Sequence, residues 1–139
     1  MNERAAVLFV NQAFYAAFHD RDLETMEALW AKEAPVACIH PGWRALAGRE
    51  EVMDSWHDIL ANPGAPEIHC HGAEAFMVGD AAFVVCYEVI EQAVLVASNI
   101  FVREAGNWRL VHHQAGPCNA PPSFDEDEDD DDEPPASLQ

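Results

Sequence analysis

Eight side chains in this 139-residue sequence have the types and spacing to form a small reaction pocket. His40, Glu88, Asn99, His112 and Gln114 supply polar groups; Phe14, Trp43 and Trp56 supply walls. An imidazole changes charge near neutrality, and a carboxylate beside it can tune it or act as the base itself. His112, Glu88 and His40 are therefore the candidate catalytic residues, with Asn99 reaching His112 across a hairpin and Asp54 as a further carboxylate. Such a set suits proton abstraction beside a carbonyl, or dehydration, on a small apolar substrate, with no cofactor. The plainer reading is that His112 and Asn99 satisfy each other inside a half-buried sheet. Trp43 follows the Pro41-Gly42 turn, off any periodic face, and is placed to touch a ligand. Arg44 and Arg49 stand near enough to meet a ligand carboxylate, although Arg49 can equally pair with Glu50 or Asp54. His69 and His71, two apart on a strand, have the spacing of a chelating pair, but the sequence offers no third ligand and no metal is expected.

Composition narrows the function. Half of the chain is apolar, enough for one domain with a real core, and the net charge is −18. Asp125 to Glu133 holds nine acidic residues; the rest keeps 16 acidic and 7 basic residues, a net −9. That surface repels phosphate backbones and anionic lipid, so neither nucleic acid nor membrane is an expected partner. The cysteines at 38, 70, 86 and 118 form no Cys-x-x-Cys pair and read as reduced, apolar residues. No apolar run approaches the roughly 20 residues of a membrane span, and a cytoplasmic location is expected. From 121 to 139, prolines flank the acidic run, and this segment is expected to be a disordered tail able to recruit a basic partner.

The elements that must position these residues follow from periodicity. Val7, Val10, Phe14 and Phe18 mark an amphipathic helix over 3–18. Asp20 or Asp22 can cap a short second helix with Leu23, Met26, Leu29 and Trp30 on one face, ended by Pro35. Val36 to His40 is a short extended run. Gly48 releases a third helix over about 49–60, with Val52, Met53, Trp56, Ile59 and Leu60 on its apolar face and Glu50 and Glu51 in its first turn. From Glu67 the period becomes two, giving strands over about 68–78, 81–90, 93–103 and 108–115. Their turns fall at Gly79-Asp80, Glu91-Gln92 and Glu104 to Asn107.

Turn lengths set the register, and register decides which residues share a face. With Arg103 opposite Trp108, Asn99 falls opposite His112 and Ala97 opposite Gln114. The turn at Glu91-Gln92 adds Val84, Cys86 and Glu88 to that face, and the first strand adds His71, Ala73, Ala75 and Met77. Small residues mixed with polar ones suit a pocket under the helices. The opposite face, with Phe76, Val78, Phe83, Val85, Val96 and Ile100, is nearly all β-branched or aromatic. Left bare, it would exceed what a monomer exposes, so a homodimer packed sheet to sheet is expected.

Four stretches carry a family resemblance. They are Cys38-Ile39-His40-Pro41-Gly42-Trp43, Gly48-Arg49-Glu50-Glu51 leading to Trp56, Phe101-Val102-Arg103-Glu104, and Trp108-Arg109-Leu110-Val111-His112-His113-Gln114. Over about residues 1–117 the chain resembles the SnoaL-like branch of the nuclear-transport-factor-2-like superfamily. The resemblance implies an α+β cone over residues 1–120, three N-terminal helices on a strongly curved antiparallel sheet, commonly dimeric, with one apolar pocket. That superfamily includes isomerases, dehydratases, cyclases and non-catalytic members, so the fold does not choose the activity. The expected function is small-molecule binding in this pocket. The alternatives are a cofactor-independent lyase or isomerase using a pocket His or Glu, and an interaction module with an acidic tail.

Overall fold

In the computed structural model, which describes residues 2–123, three helices lie on the inner face of a curled six-stranded sheet. Helix α1 (Glu3–Asp20) begins where the Asn2 side chain accepts from Ala5 N–H at 2.7 Å. It ends where Arg21 turns left-handed at φ 55° and the freed carbonyls of Ala17 and Phe18 accept from the chain that follows. Val7, Asn11, Phe14 and Tyr15 form its buried stripe. Helix α2 (Leu23–Leu29) starts at Asp22, whose carboxylate accepts from Thr25 N–H. Helix α3 (Arg49–Ala61) follows Gly48, which takes φ 92° where a side chain would be strained.

The sheet runs β2-β1-β6-β5-β4-β3, with β1 (Ala37–Ile39), β2 (Leu46–Ala47), β3 (His69–Val78), β4 (Ala81–Ile90), β5 (Ala93–Glu104) and β6 (Asn107–Pro117). Four long strands pair antiparallel through turns at the three expected places. The expectation of a wholly antiparallel sheet fails at one pair: β1 runs parallel to β6, with Cys38 beside His113. The chain already meets β6 in the parallel sense at the bridge between Trp30 and Leu110, just after α2, and β1 continues in that direction. The two-residue strand β2, not foreseen in the sequence, then pairs antiparallel with β1.

Two family-motif residues fasten this crossing. Arg49 donates to the carbonyls of Trp30, Ala31 and Glu27 at 2.8–3.0 Å, rather than pairing with Glu50 or Asp54. Glu104 accepts from the backbone N–H groups of Lys32, Glu33 and Ala34. At the same end of the sheet, Glu3 accepts from Trp108 Nε1 at 3.0 Å and pairs with Arg103.

The inner face of the sheet carries Ala75, Ala82, Val84, Cys86, Leu95, Ala97, Phe101 and Leu110, all buried under Phe14, Met26, Trp30, Val52 and Trp56. The outer face keeps Phe76, Val78, Val96 and Ile100 exposed, and Phe76 stacks on Phe83 with ring centroids 4.9 Å apart. Among the described residues, no helix is long and apolar enough to cross a membrane. The acidic run expected to be a tail lies outside the described residues from 124 onward.

Candidate functional site

Between α1, α3 and the inner face of the sheet lies a cavity of about 410 Å³. Phe14, Phe18 and Trp56 form its wall, and Trp43, 46 % exposed, stands at its mouth. The loop 62–68, between α3 and β3, forms part of the rim. Arg21 holds that loop by donating to the carbonyls of Leu60, Asn62 and Ala65. Polar groups reach the cavity from four elements: Tyr15 on α1, His40 after β1, Glu88 on β4 and His113 on β6.

The register that placed His112 in this cavity is corrected by a β-bulge. Ile100 pairs with His112 but Phe101 pairs with Leu110, so Val111 is the extra residue on β6. The bulge turns His112 outward, half-buried, and brings in His113 opposite Asn99. Gln114 is likewise carried to the outer face, where it is exposed opposite Ser98. A second bulge between His71 and Glu74 places Cys70, not His71, beside the inner-face Glu88. Asp54 lies exposed on α3, away from the cavity. Arg44 pairs with Glu51 at 3.2 Å and borders no part of the cavity. Phe14, Trp43, Trp56, His40 and Glu88 stand where the sequence reading put them. Asn99 is fully buried one layer behind the cavity, against His113.

A chain of hydrogen bonds fixes the proton positions. Asn11 presents its amide N–H to Cys70, and its oxygen accepts from Asn99 Nδ2 at 2.8 Å. The Asn99 oxygen is then the acceptor that faces His113 Nδ1 at 2.6 Å, so Nδ1 carries the proton. His113 Nε2 keeps its lone pair and lies 3.8 Å from Glu88 Oε2. Tyr15 donates its hydroxyl to the same Glu88 oxygen at 2.6 Å. His40 has the opposite arrangement. Ser55 donates to the Val52 carbonyl, so it accepts from His40 Nε2 at 2.9 Å and leaves His40 Nδ1 unprotonated.

Burial then sets the charges. It holds His113 neutral, pushed down to about 3, with His40 and His112 adding repulsion. It holds His40 down to about 4. It pushes Glu88 up, toward the neutral acid, against the lowering effect of the Tyr15 hydroxyl. Tyr15 itself is raised well above its ordinary value, first by burial and then by Cys86 and Glu88, and stays a hydroxyl. The cavity floor therefore offers a lone pair on His113 beside a Glu88 carboxyl that burial pushes toward the acid form. Among the described residues, no group of three His, Cys, Asp or Glu side chains is arranged to hold a metal ion.

Sequence reasoning missed Tyr15 and His113. Tyr15 carried a usable signal: Asn11 and Tyr15 stand four apart, as two polar groups in the buried stripe with Val7. His113 carried little, because no glycine marks the bulge at Val111.

Comparison with known proteins agrees with this architecture. A family model for the SnoaL-like domain matches residues 7–118. A candidate dehydratase of the NTF2-like family from Streptomyces avermitilis is 33 % identical, covers 85 % of this chain and 97 % of that one, and superposes with a TM-score of 0.77. A candidate calcium/calmodulin-dependent protein kinase type II association domain from Thiobacillus denitrificans is 32 % identical, covering 79 % of this chain and 93 % of that one, with a TM-score of 0.70. The F-box protein SKIP8 of Arabidopsis thaliana is 28 % identical over 112 residues, 79 % of this chain. The chain spans about half the length of that curated relative, 48 %. On a match that spans most of its length, the chain belongs to the SnoaL-like domain family, within the nuclear-transport-factor-2-like superfamily.

Proposed function

We propose that the cavity binds a small organic molecule and moves a proton on it without a cofactor, in the manner of a lyase or isomerase. The observation that supports this reading is the pairing of an unprotonated His113 Nε2 with Glu88 across 3.8 Å, too long for a direct hydrogen bond, with both residues buried where they line the cavity. In the acid form that burial favours, Glu88 accepts from Tyr15 on Oε2 and carries its proton on Oε1, from which it can be given. His113 takes the proton from the carbon beside a carbonyl. Glu88 gives its proton to the carbonyl oxygen, or to a hydroxyl leaving from the next carbon as water. The step starts from two neutral groups and ends on an imidazolium and a carboxylate, which attract each other in a low-dielectric site. Tyr15 stays hydrogen-bonded to the carboxylate, and Asn99 to the imidazolium. His40, tied to Ser55, borders the ligand rather than the moving proton. Likeness to the candidate dehydratase supports the same class of chemistry.

The test is exchange of the α-hydrogens of 2-tetralone in heavy water, followed by proton NMR. A positioned general base contributes about 10²–10⁴-fold, so wild type should exceed buffer by at least the lower figure and His113→Asn should lose that excess. His112→Ala, on the outer face, should keep it. Equal rates with and without wild-type protein, or loss in His112→Ala with retention in His113→Asn, would sink the reading.

A homodimer through the outer face is part of the proposal. The exposure of Phe76, Val78, Val96 and Ile100 on one side of the sheet supports it. Four free cysteines support a reducing, cytoplasmic setting. Likeness to an F-box protein and to an association domain supports a second reading, in which the domain binds without turnover. The exchange assay separates the two.

A further inference from the structure

Tyr15 borders a second recess as well, of about 510 Å³, between α1 and β3. Asn11, Gln12, His19, His69 and Cys70 bring its polar and sulfur groups. Cys70 is half-buried there. Cys86, fully buried on the inner face of β4, does not border the recess but stands next to Cys70. Neither sulfur takes part in the proton transfer proposed for the first cavity.

The register explains why the two sulfurs meet. Cys70 pairs with Glu88, and Cys86 stands two residues before Glu88 on the same face. In a regular ladder such diagonal neighbours lie about 7–8 Å apart, whereas a disulfide takes a Cα separation of about 4.4–6.8 Å. Here the ladder is irregular. Gly72 and Ala73 together oppose the single residue Cys86, and Gly72 takes φ 67°. Strand β3 also ends the sheet. A glycine bulge on an edge strand lets Cys70 shift toward Cys86 while only one ladder adjusts.

Polar side chains surround both thiols. Asn11 Nδ2 donates to Cys70 Sγ at 3.9 Å. Tyr15 Oη lies 3.4 Å from Cys86 Sγ, and Asn99 Nδ2 lies 4.0 Å from it. The two thiols also hydrogen-bond each other. That contact draws Cys86 down and pushes Cys70 up, so the pair gives up one proton readily and holds the second. One thiolate shared between two sulfurs is a nucleophile. Cys38 differs: burial pushes it up to about 12, and it stands beside His40 rather than another thiol.

We propose that Cys70 and Cys86 form a modification site for small hydroperoxides, which convert the two thiols into a reversible disulfide. The peroxide enters the recess and meets the Cys70 sulfur. An electron pair on that sulfur attacks one peroxide oxygen; the S–O bond forms, the O–O bond breaks, and the other oxygen leaves as water with the proton the pair gave up. The Cys86 sulfur then attacks the Cys70 sulfur. The S–S bond forms, the S–O bond breaks, and the hydroxyl leaves as water with the remaining thiol proton. Two thiols and one hydrogen peroxide thus give one disulfide and two waters, with sulfur oxidised and peroxide oxygen reduced. In a reducing compartment such a bond is transient. Tyr15 connects it to the first cavity, since its hydroxyl touches Cys86 and holds Glu88.

The experiment treats the reduced full chain with hydrogen peroxide at pH 7, blocks the remaining thiols with N-ethylmaleimide in denaturant, and maps peptides by mass spectrometry. Cys70 and Cys86 should lose their thiols together, roughly tenfold faster than Cys38 or Cys118. A linked peptide pair within one chain, two hydrogens lighter and separated again by dithiothreitol, should account for the loss. Cys86→Ser should stop at a sulfenic acid on Cys70, trapped by dimedone, and Cys118→Ser should oxidise as wild type does. A link between any other two cysteines overturns the proposal. So does loss of the Cys70 and Cys86 thiols no faster than that of Cys118, or their separate oxidation without a link. The wild-type map decides by itself should a serine variant fail to fold.

Discussion

Replacing Asn99 and His113 singly and together tests the contact that fixes the base. Asn99→Leu keeps a branched side chain but removes the acceptor 2.6 Å from His113 Nδ1 and the donor 2.8 Å from Asn11 Oδ1. Both orphaned groups are buried, since Asn11 is 1 % and His113 3 % exposed. An unsatisfied buried donor or acceptor costs about 1–3 kcal/mol, so the single change, which orphans two, should destabilise the fold by about 2–6 kcal/mol. His113→Leu leaves the Asn99 oxygen unpaired, a loss of about 1–3 kcal/mol. In the double variant the His113–Asn99 pair is gone from both sides and only the Asn11 oxygen is orphaned. The two single losses together should exceed the loss in the double variant, with a coupling of about 2–6 kcal/mol. Urea unfolding at pH 7, with unchanged slope in all four proteins, is the assay. Nitrogen NMR of the imidazoles should independently place the proton of His113 on Nδ1 and that of His40 on Nε2. Additivity within about 0.5 kcal/mol, or the reverse tautomer on His113, would refute the reasoning.

The buried histidines also make stability depend on pH. His40 near 4 and His113 near 3 lie below the value of about 6.5 they regain on unfolding, so the unfolded chain binds more protons in that window. Stability present above about pH 6.5 should fall as the pH drops toward 4, by up to about 1.4 kcal/mol per pH unit for each histidine. Glu88, raised by burial, acts in the opposite direction, so Glu88→Gln should steepen the acid fall. Unfolding curves from pH 4.5 to 7 check both, and a flat profile would contradict neutral histidines in the cavity. For the proposed dimer, Ile100→Asp puts a charge among the outer-face residues Phe83 and Val102 and should yield monomer in sedimentation. A dimer that survives this change is not built on that face.

The motifs that carry the family resemblance turn out to serve the scaffold more than the site. Arg49 and Glu104 tie the crossing between α2 and β1, and Arg103 reaches Glu3 under the first helix. Their charges meet backbone groups or each other. Of the quoted stretches, His40, Trp43, Trp56 and His113 face the cavity. Arg49 therefore marks the fold, while the neighbouring tryptophans mark the place where a ligand sits.

The sequence by itself determined the helices, the three hairpin turns and the inner-face position of Glu88. Helix stripes, Gly79-Asp80 and the alternation of β4 and β5 are local signals that act over a few residues. It also determined the aromatic walls, because Phe14 and Trp56 fall on helical stripes whatever they later meet. Only the tertiary structure decided which histidine is the base. One extra residue at Val111 exchanges His112 for His113, and the bulge is set by how β6 fits between β5 and the parallel β1, not by a turn residue within it. It likewise decided that Asn11, Tyr15 and Asn99 form one hydrogen-bonded chain, since their partners lie 73 to 88 residues apart. The neutrality of the cavity follows from that packing: burial, a property of no single residue, holds its histidines uncharged and pushes Glu88 toward the neutral acid.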